Sequence, residues 1–177
     1  MLIRSTPLSV NKNQIDRIAL AKGGPLGKLL VRSPYMGSKL EYVPSYIVHF
    51  DYEGKKLSSL FRPKSRGETI TGSLALIADA SSMRIGVLEQ NLSLAEIEIS
   101  QEDLVRTDDA TVRENKIMER SMALARKVTT LRHRISPKIS EGEFEVFYRP
   151  RWVSEYGREG KVTHRLVTAA DHFKFIR

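Results

Sequence analysis

Arg149, Arg151, Arg158, Lys161 and Arg165 surround Trp152 and Tyr156 in one short stretch of the chain. Basic side chains interleaved with aromatic rings can hold phosphates while stacking bases, the chemistry of single-stranded nucleic-acid binding. Arg62, Lys64 and Arg66 form a second basic group, in a stretch that also carries Pro63 and Gly67 and reads as a loop. Set against this is a plainer reading, in which Trp152 belongs to a core and the arginines form a solvated face. Catalytic patterns are missing: there is no Gly-rich phosphate loop, no His-Glu-x-x-His and no Gly-x-Ser-x-Gly. The histidines, His49, His133, His164 and His172, are scattered, so a metal site would need them to converge in space. Asp79 and Asp171 lie at turn-like places, where an Asp side chain commonly closes the turn on its own backbone. No catalytic residue, metal-ligand set or cofactor is expected.

These residues sit on a chain of 177 residues, enough for one medium domain or two small ones of roughly 80 residues each. A hydrophobic share of 41% supports an ordinary core and argues against disorder. Without cysteine there are no disulfides and no thiolate metal sites. The N-terminal residues lack the apolar h-region of a signal peptide, and no run of about 18 apolar residues occurs. A soluble, cytoplasmic protein is the expectation. The net charge of +8 is unevenly placed: residues 1–72 carry 12 Lys/Arg against 5 Asp/Glu, residues 73–110 carry 2 against 8, and residues 111–177 carry 15 against 8. Two basic blocks flank an acidic connector.

Local patterns predict the elements. Val10–Lys22 reads as a helix with Ser9 as N-cap, stopped by Gly23-Gly24-Pro25. Lys28–Arg32 is a short apolar run, and Leu40–Tyr52 a strand rich in Tyr, Val, Ile and Phe with Pro44 near its start. Glu53-Gly54-Lys55 reads as the hairpin turn out of that strand, with Lys56–Phe61 returning. Leu74–Asp79 and Met83–Leu88 follow as strands around a turn at Ala80-Ser81-Ser82. In the connector, Leu92–Ile99 alternates like a one-sided strand. From about Thr111 to Arg134 the stripe Ile117, Leu124, Val128, Leu131 and Ile135, widened by Met118 and Met122, predicts a long helix ended by Ser136-Pro137. Thr111 and Glu114 have capping-box spacing at its start. Glu143–Tyr156, a turn at Glu159-Gly160-Lys161, and apolar stretches at Arg165–Thr168 and Phe173–Ile176 complete the chain.

The chain also repeats itself. Tyr42-Val43-Pro44-Ser45-Tyr46-Ile47 returns as Tyr148-Arg149-Pro150-Arg151-Trp152-Val153, each followed at the same distance by Glu-Gly-Lys. Ile18-Ala19-Leu20-Ala21-Lys22 matches Met122-Ala123-Leu124-Ala125-Arg126, and Ser33-Pro34 matches Ser136-Pro137. Leu76-Ile77-Ala78-Asp79-Ala80 sits where Leu166-Val167-Thr168-Ala169-Ala170 sits in the second copy. The common order predicts a duplicated α+β unit: residues 1–91, an acidic connector 92–110, and residues 111–177. A helix followed by antiparallel strands, ending in Leu76-Ile77-Ala78-Asp79-Ala80-Ser81-Ser82-Met83-Arg84-Ile85, resembles the PepSY-type and cystatin-like αβββ modules. Their pattern has an Asp-Ala-x-x-Gly turn there. This chain has Met83 in place of the Gly, and Asp171-His172-Phe173 in the second copy. The resemblance implies a tandem fold, whose copies could share one sheet, and a binding or inhibitory role.

The expected function is therefore a non-catalytic binding module for a protein or peptide partner, docking by strand addition at exposed sheet edges, which could also support an oligomer. The alternative is a nucleic-acid-binding accessory protein using the basic residues around Trp152.

Overall fold

A computed structural model describes residues 1–22, 31–56, 69–89, 91–105, 110–140 and 142–172. They form an α+β architecture of two helices and a mixed eight-stranded sheet. In chain order the elements are β1 (Leu2–Ser5), α1 (Lys12–Leu20), β2 (Tyr35–Lys56), β3 (Thr69–Asp79), β4 (Ile85–Val87), β5 (Ala95–Glu98), a short 3-10 turn (Gln101–Asp103), α2 (Ala110–His133), β6 (Ile135–Ile139), β7 (Glu143–Arg158) and β8 (Lys161–Ala169). Strands neighbour one another in the order β4-β3-β2-β7-β1-β5, with β6 also on β2 and β8 also on β7. The runs 28–30, 57–66 and 173–176, which include the expected return strand and Arg62, Lys64 and Arg66, lie outside the described residues.

The chain divides into two compact units, and neither is continuous in sequence. The first comprises Met1–Pro44, Leu92–Arg106 and Phe147–Lys174. Its helix, α1, starts at Asn11, not at Ser9. The Asn11 side chain accepts from Gln14 N–H (3.0 Å) and the Gln14 side chain accepts from Asn11 N–H (2.9 Å). This reciprocal box satisfies two otherwise unpaired donors of the first turn. Ser9 is used elsewhere: its N–H and hydroxyl both donate to the Ala170 carbonyl, at 2.7 and 2.8 Å. Ile15 and Ala19, four residues apart and so on one face, are fully buried. Ile15 packs with Trp152 and Ala170, and Val10 and Leu40 join from the margin. Beside them β7 pairs antiparallel with β8, β1 pairs antiparallel with β5, and Ser5 of β1 meets Tyr148 of β7 in a parallel step.

The second unit comprises Ser45–Asn91, Thr107–Val146 and Phe175–Arg177. Tyr46, Val48 and Phe50 of β2, Leu76 and Ala78 of β3, Ala80, and Ile117 and Ala125 of α2 make its core. The buried line along α2 is Ile117, Ser121, Ala125 and Thr129, while Leu131 is 70% exposed. Periodicity favoured the large residues. Ile117 is on the predicted stripe, and the fold adds the smaller Ser121, Ala125 and Thr129 at i, i+4 spacing in place of Leu131. Met118, Met122 and Leu124 flank that row, partly buried. The helix begins at Ala110, so Thr111 lies inside it and not at its cap. It ends at His133, with Arg134 in the left-handed conformation (φ 53°), two residues before Ser136-Pro137. Pro137 sits in β6, which among the described residues pairs with β2 alone, and proline is tolerated on such an edge.

The two Glu-Gly-Lys words behave differently. Glu159 (φ 53°) and Gly160 (φ 76°) are both left-handed and make the two-residue turn between β7 and β8. Glu53-Gly54-Lys55 is no turn: it continues β2, paired to Thr69–Thr71 on one side and Ser136–Lys138 on the other. A Cβ on Gly54 would stand 2.7 Å from the Ser136 carbonyl oxygen. Here glycine serves a close approach of two backbones.

No tandem repeat is evident. The helices have 9 and 24 residues. Ala19 is buried, whereas Ala123 in the matching word is exposed. The strand words do keep their burial: Tyr46, Val48 and Phe50 are buried in β2, as are Trp152, Ser154 and Tyr156 in β7. Each unit combines the helix of one sequence half with the Pro-marked strand of the other: α1 with Phe147–Arg158, α2 with Ser45–Lys56.

Candidate functional site

Strand alternation separates the residues that the sequence places together. Trp152, Ser154 and Tyr156 share one face of β7, and Arg149, Arg151, Val153 and Glu155 share the other. Trp152 is 6% exposed, and its Nε1–H donates to the Val10 carbonyl at 2.7 Å. Tyr156 is fully buried and donates its hydroxyl hydrogen to the Ala19 carbonyl at 2.8 Å. These rings anchor α1 on the sheet.

The arginines are engaged within the same unit. Arg149 donates from Nε to Asp171 Oδ2 and from a terminal nitrogen to Oδ1, both at 2.8 Å, and Thr6 Oγ1–H donates to Oδ2 at 2.9 Å. The pair is buried, so Asp171 closes no turn on itself. Asp79 does: its Oδ1 accepts from Ser81 N–H, Ser81 Oγ–H and Ser82 N–H at 2.8, 2.8 and 3.0 Å. Arg151 meets Glu41 Oε2 at 3.0 and 3.2 Å, and Arg165 meets Glu155 Oε1 at 2.9 Å. Arg158 and Lys161 are exposed at the tip of the β7–β8 hairpin, without an ion pair among the described residues. The signal that could have found these partners was weak: Glu41 and Asp171 are single carboxylates far from their arginines in sequence.

A chain of hydroxyls crosses the inner face of this unit. Tyr35 Oη–H donates to Asp16 Oδ1 at 2.6 Å and lies 2.7 Å from Ser38 Oγ, which lies 2.8 Å from Ser154 Oγ. The Tyr35 bond, with Lys12 alongside, holds the Asp16 carboxyl below its ordinary value. Burial, then the Asp16 carboxylate, pushes the Tyr35 phenol up. Tyr42 and Tyr156 are raised mainly by burial, with Asp103 adding to the first and Tyr35 to the second. In β2 the places of Ser154 and Tyr156 are taken by Val48 and Phe50, so the hydroxyl chain belongs to one unit only.

In the second unit an open cleft of about 670 Å³ is lined by Asp51, Glu53, Thr71, Ser73, Lys138 and Ser140, among others. The Ser140 hydroxyl is already bonded to the Asp51 backbone. His49 lies 3.8 Å from Glu145, and His133 stacks on Tyr52. Among the described residues no three His, Cys, Asp or Glu side chains are placed to hold a metal ion, and no helix is long and apolar enough to cross a membrane.

Backbone groups are also available among the described residues. Ala170 N–H donates to the Pro150 carbonyl (3.0 Å), so this is a hydrogen-bonded pair of the β7–β8 ladder. Alternation then turns His164, Leu166 and Thr168 toward β7, and the N–H and C=O groups of Arg165, Val167 and Ala169 outward. No strand among the described residues pairs with that outer edge. Val167 is 54% exposed beside it. Leu166–Ala170, matched in sequence to the buried Leu76–Ala80 stretch, has thus become an edge. Compared with protein families, curated proteins and solved structures, the chain shows no match.

Proposed function

We propose that the protein is a non-catalytic binding module that captures an extended segment of a protein or peptide partner by strand addition to β8. The observation that carries this reading is the nine-residue edge strand with Arg165, Val167 and Ala169 directing backbone donors and acceptors outward. An added strand gains its affinity from such main-chain bonds. The PepSY-type and cystatin-like resemblance supports the same role. Met83, standing where that pattern has Gly, has φ 54°, the left-handed geometry a glycine would serve. We read the finer architecture as two related helix-and-strand copies whose helices are exchanged between units.

The test is amide hydrogen exchange in the presence of peptides selected from an extended-peptide library. Binding should protect the amides of Arg165, Val167 and Ala169, and Val167→Pro, which removes one outward donor and no donor to β7, should lose it. Selected peptides that leave these amides unprotected and bind Val167→Pro equally well would sink the proposal. The nucleic-acid alternative rests on Arg158 and Lys161 at the hairpin tip. It predicts salt-dependent retention on immobilised single-stranded DNA that Arg158→Ala/Lys161→Ala abolishes. No retention at low salt removes it.

A further inference from the structure

We infer that the extended segment β8 receives is β8 of a second copy of this chain, paired antiparallel about a two-fold axis at Val167. This rests on the strand-addition reading and names its partner. Three observations lead to it. The β7–β8 register shifts at Tyr156/Gly157, leaving Thr163 opposite no residue of β7. Thr163 hydroxyl instead bonds the Tyr156 carbonyl (3.1 Å) and Ser33 Oγ (2.8 Å). The outward-facing part of the regular edge therefore runs from Arg165 to Ala169, the last residue of β8, and Val167 is its midpoint. An identical strand laid antiparallel on that midpoint overlaps the whole regular segment.

The groups that point outward also fit. Val167 would exchange both backbone hydrogen bonds with Val167 of the copy, and Arg165 would do so with Ala169 in each direction. Side chains agree on both faces. The exposed Val167 methyls meet each other, Arg165 lies opposite alanine and keeps its Glu155 partner, and Leu166 lies opposite Thr168. Moving the axis to Arg165 would oppose two arginines. Moving it to Leu166 would bring the bulged Thr163 into the ladder opposite Ala169. Because Arg165 is already neutralised by Glu155, the edge offers little charge to select an acidic or basic peptide, and register is left to choose. The net charge of +8 on each copy opposes approach, so added salt should strengthen the pairing.

The experiment is sedimentation equilibrium of the full chain across a concentration series at low and high salt. The expected result is a dimer that tightens with salt and whose Arg165, Val167 and Ala169 amides gain exchange protection as dimer forms. Val167→Pro and Val167→Lys should each be monomeric where the wild type is dimeric, with unchanged circular dichroism. Val167→Lys mixed with Val167→Glu should restore a dimer, because only this register places position 167 opposite itself. A wild-type chain that stays monomeric overturns the inference, and so does a dimer that survives both substitutions. A monomer that still captures library peptides at β8 would overturn self-pairing alone, whereas a monomer that captures none would remove both readings.

Discussion

Arg149 and Asp171 hold each other with side chains only 10% and 2% exposed. A charge removed from water this fully depends on its partner, and the Thr6 hydroxyl supplies a third bond to the same carboxylate. Arg149→Ala leaves Asp171 uncompensated and should lower stability by about 3–5 kcal/mol in urea unfolding. Arg165→Ala, whose ion pair is solvent-exposed, should change it by about 1 kcal/mol or less. The Tyr35–Asp16 bond carries a pH dependence with a definite sign. Asp16 is held below its ordinary value, so its contribution is complete above that value and fades as pH falls through the lowered one. Tyr35 is raised, so its contribution is complete below its ordinary 10.0 and fades as pH climbs through the raised value. Tyr35→Phe should move the Asp16 titration, followed by carboxyl NMR, up toward the ordinary carboxylate range, and should flatten both limbs of the stability profile.

At the scale of elements, glycine separates two uses of one word. Gly160 is a turn position with open space around it, so Gly160→Ala meets only left-handed backbone strain, about 1–2 kcal/mol. Gly54 lies between two backbones, and its new methyl would push against the Ser136 carbonyl, which cannot swing aside as a side chain would. Gly54→Ala should therefore be the more damaging of the two in thermal unfolding, and Gly54→Asn should rescue nothing, whereas Gly160→Asn should be tolerated. The same contrast governs the helices. The capping box at Asn11 and Gln14 is local, yet the sequence pattern places the cap at Ser9, which the structure puts on Ala170. In α2 the period and most of the buried side were legible, with Ile117 fully buried and Met118, Met122 and Leu124 partly so, but the fold also buries Ser121 and Ala125 and leaves Leu131 exposed.

For the whole molecule the interleaving of the units is what matters. The first unit needs Phe147–Lys174 as well as Met1–Pro44, and the second needs Thr107–Val146 as well as Ser45–Asn91. A fragment of residues 1–91 would lack β7 beneath α1 and α2 above β2 and β3. It should show no cooperative unfolding transition by circular dichroism, and adding residues 92–177 should restore one. An independently folding 1–91 fragment would contradict this.

The sequence by itself determined the α+β class, both helices, the Asp79 turn and the Glu159-Gly160 turn. Each depends on residues a few positions apart, through capping, periodicity, side-chain reach or a required φ. Tertiary structure decided the rest of the basic cluster's meaning. Thr6 and Asp171 meet across 165 positions, and Arg151 and Glu41 across 110. Partners so distant leave no periodic or local trace. Arg151, and with it Arg149 and Arg165, whose carboxylates lie 22 and 10 positions away, looked like ligands for phosphate until folding gave each a carboxylate, and β8, read in the sequence only as the apolar stretch Arg165–Thr168, emerged with an outer edge that no strand among the described residues pairs with.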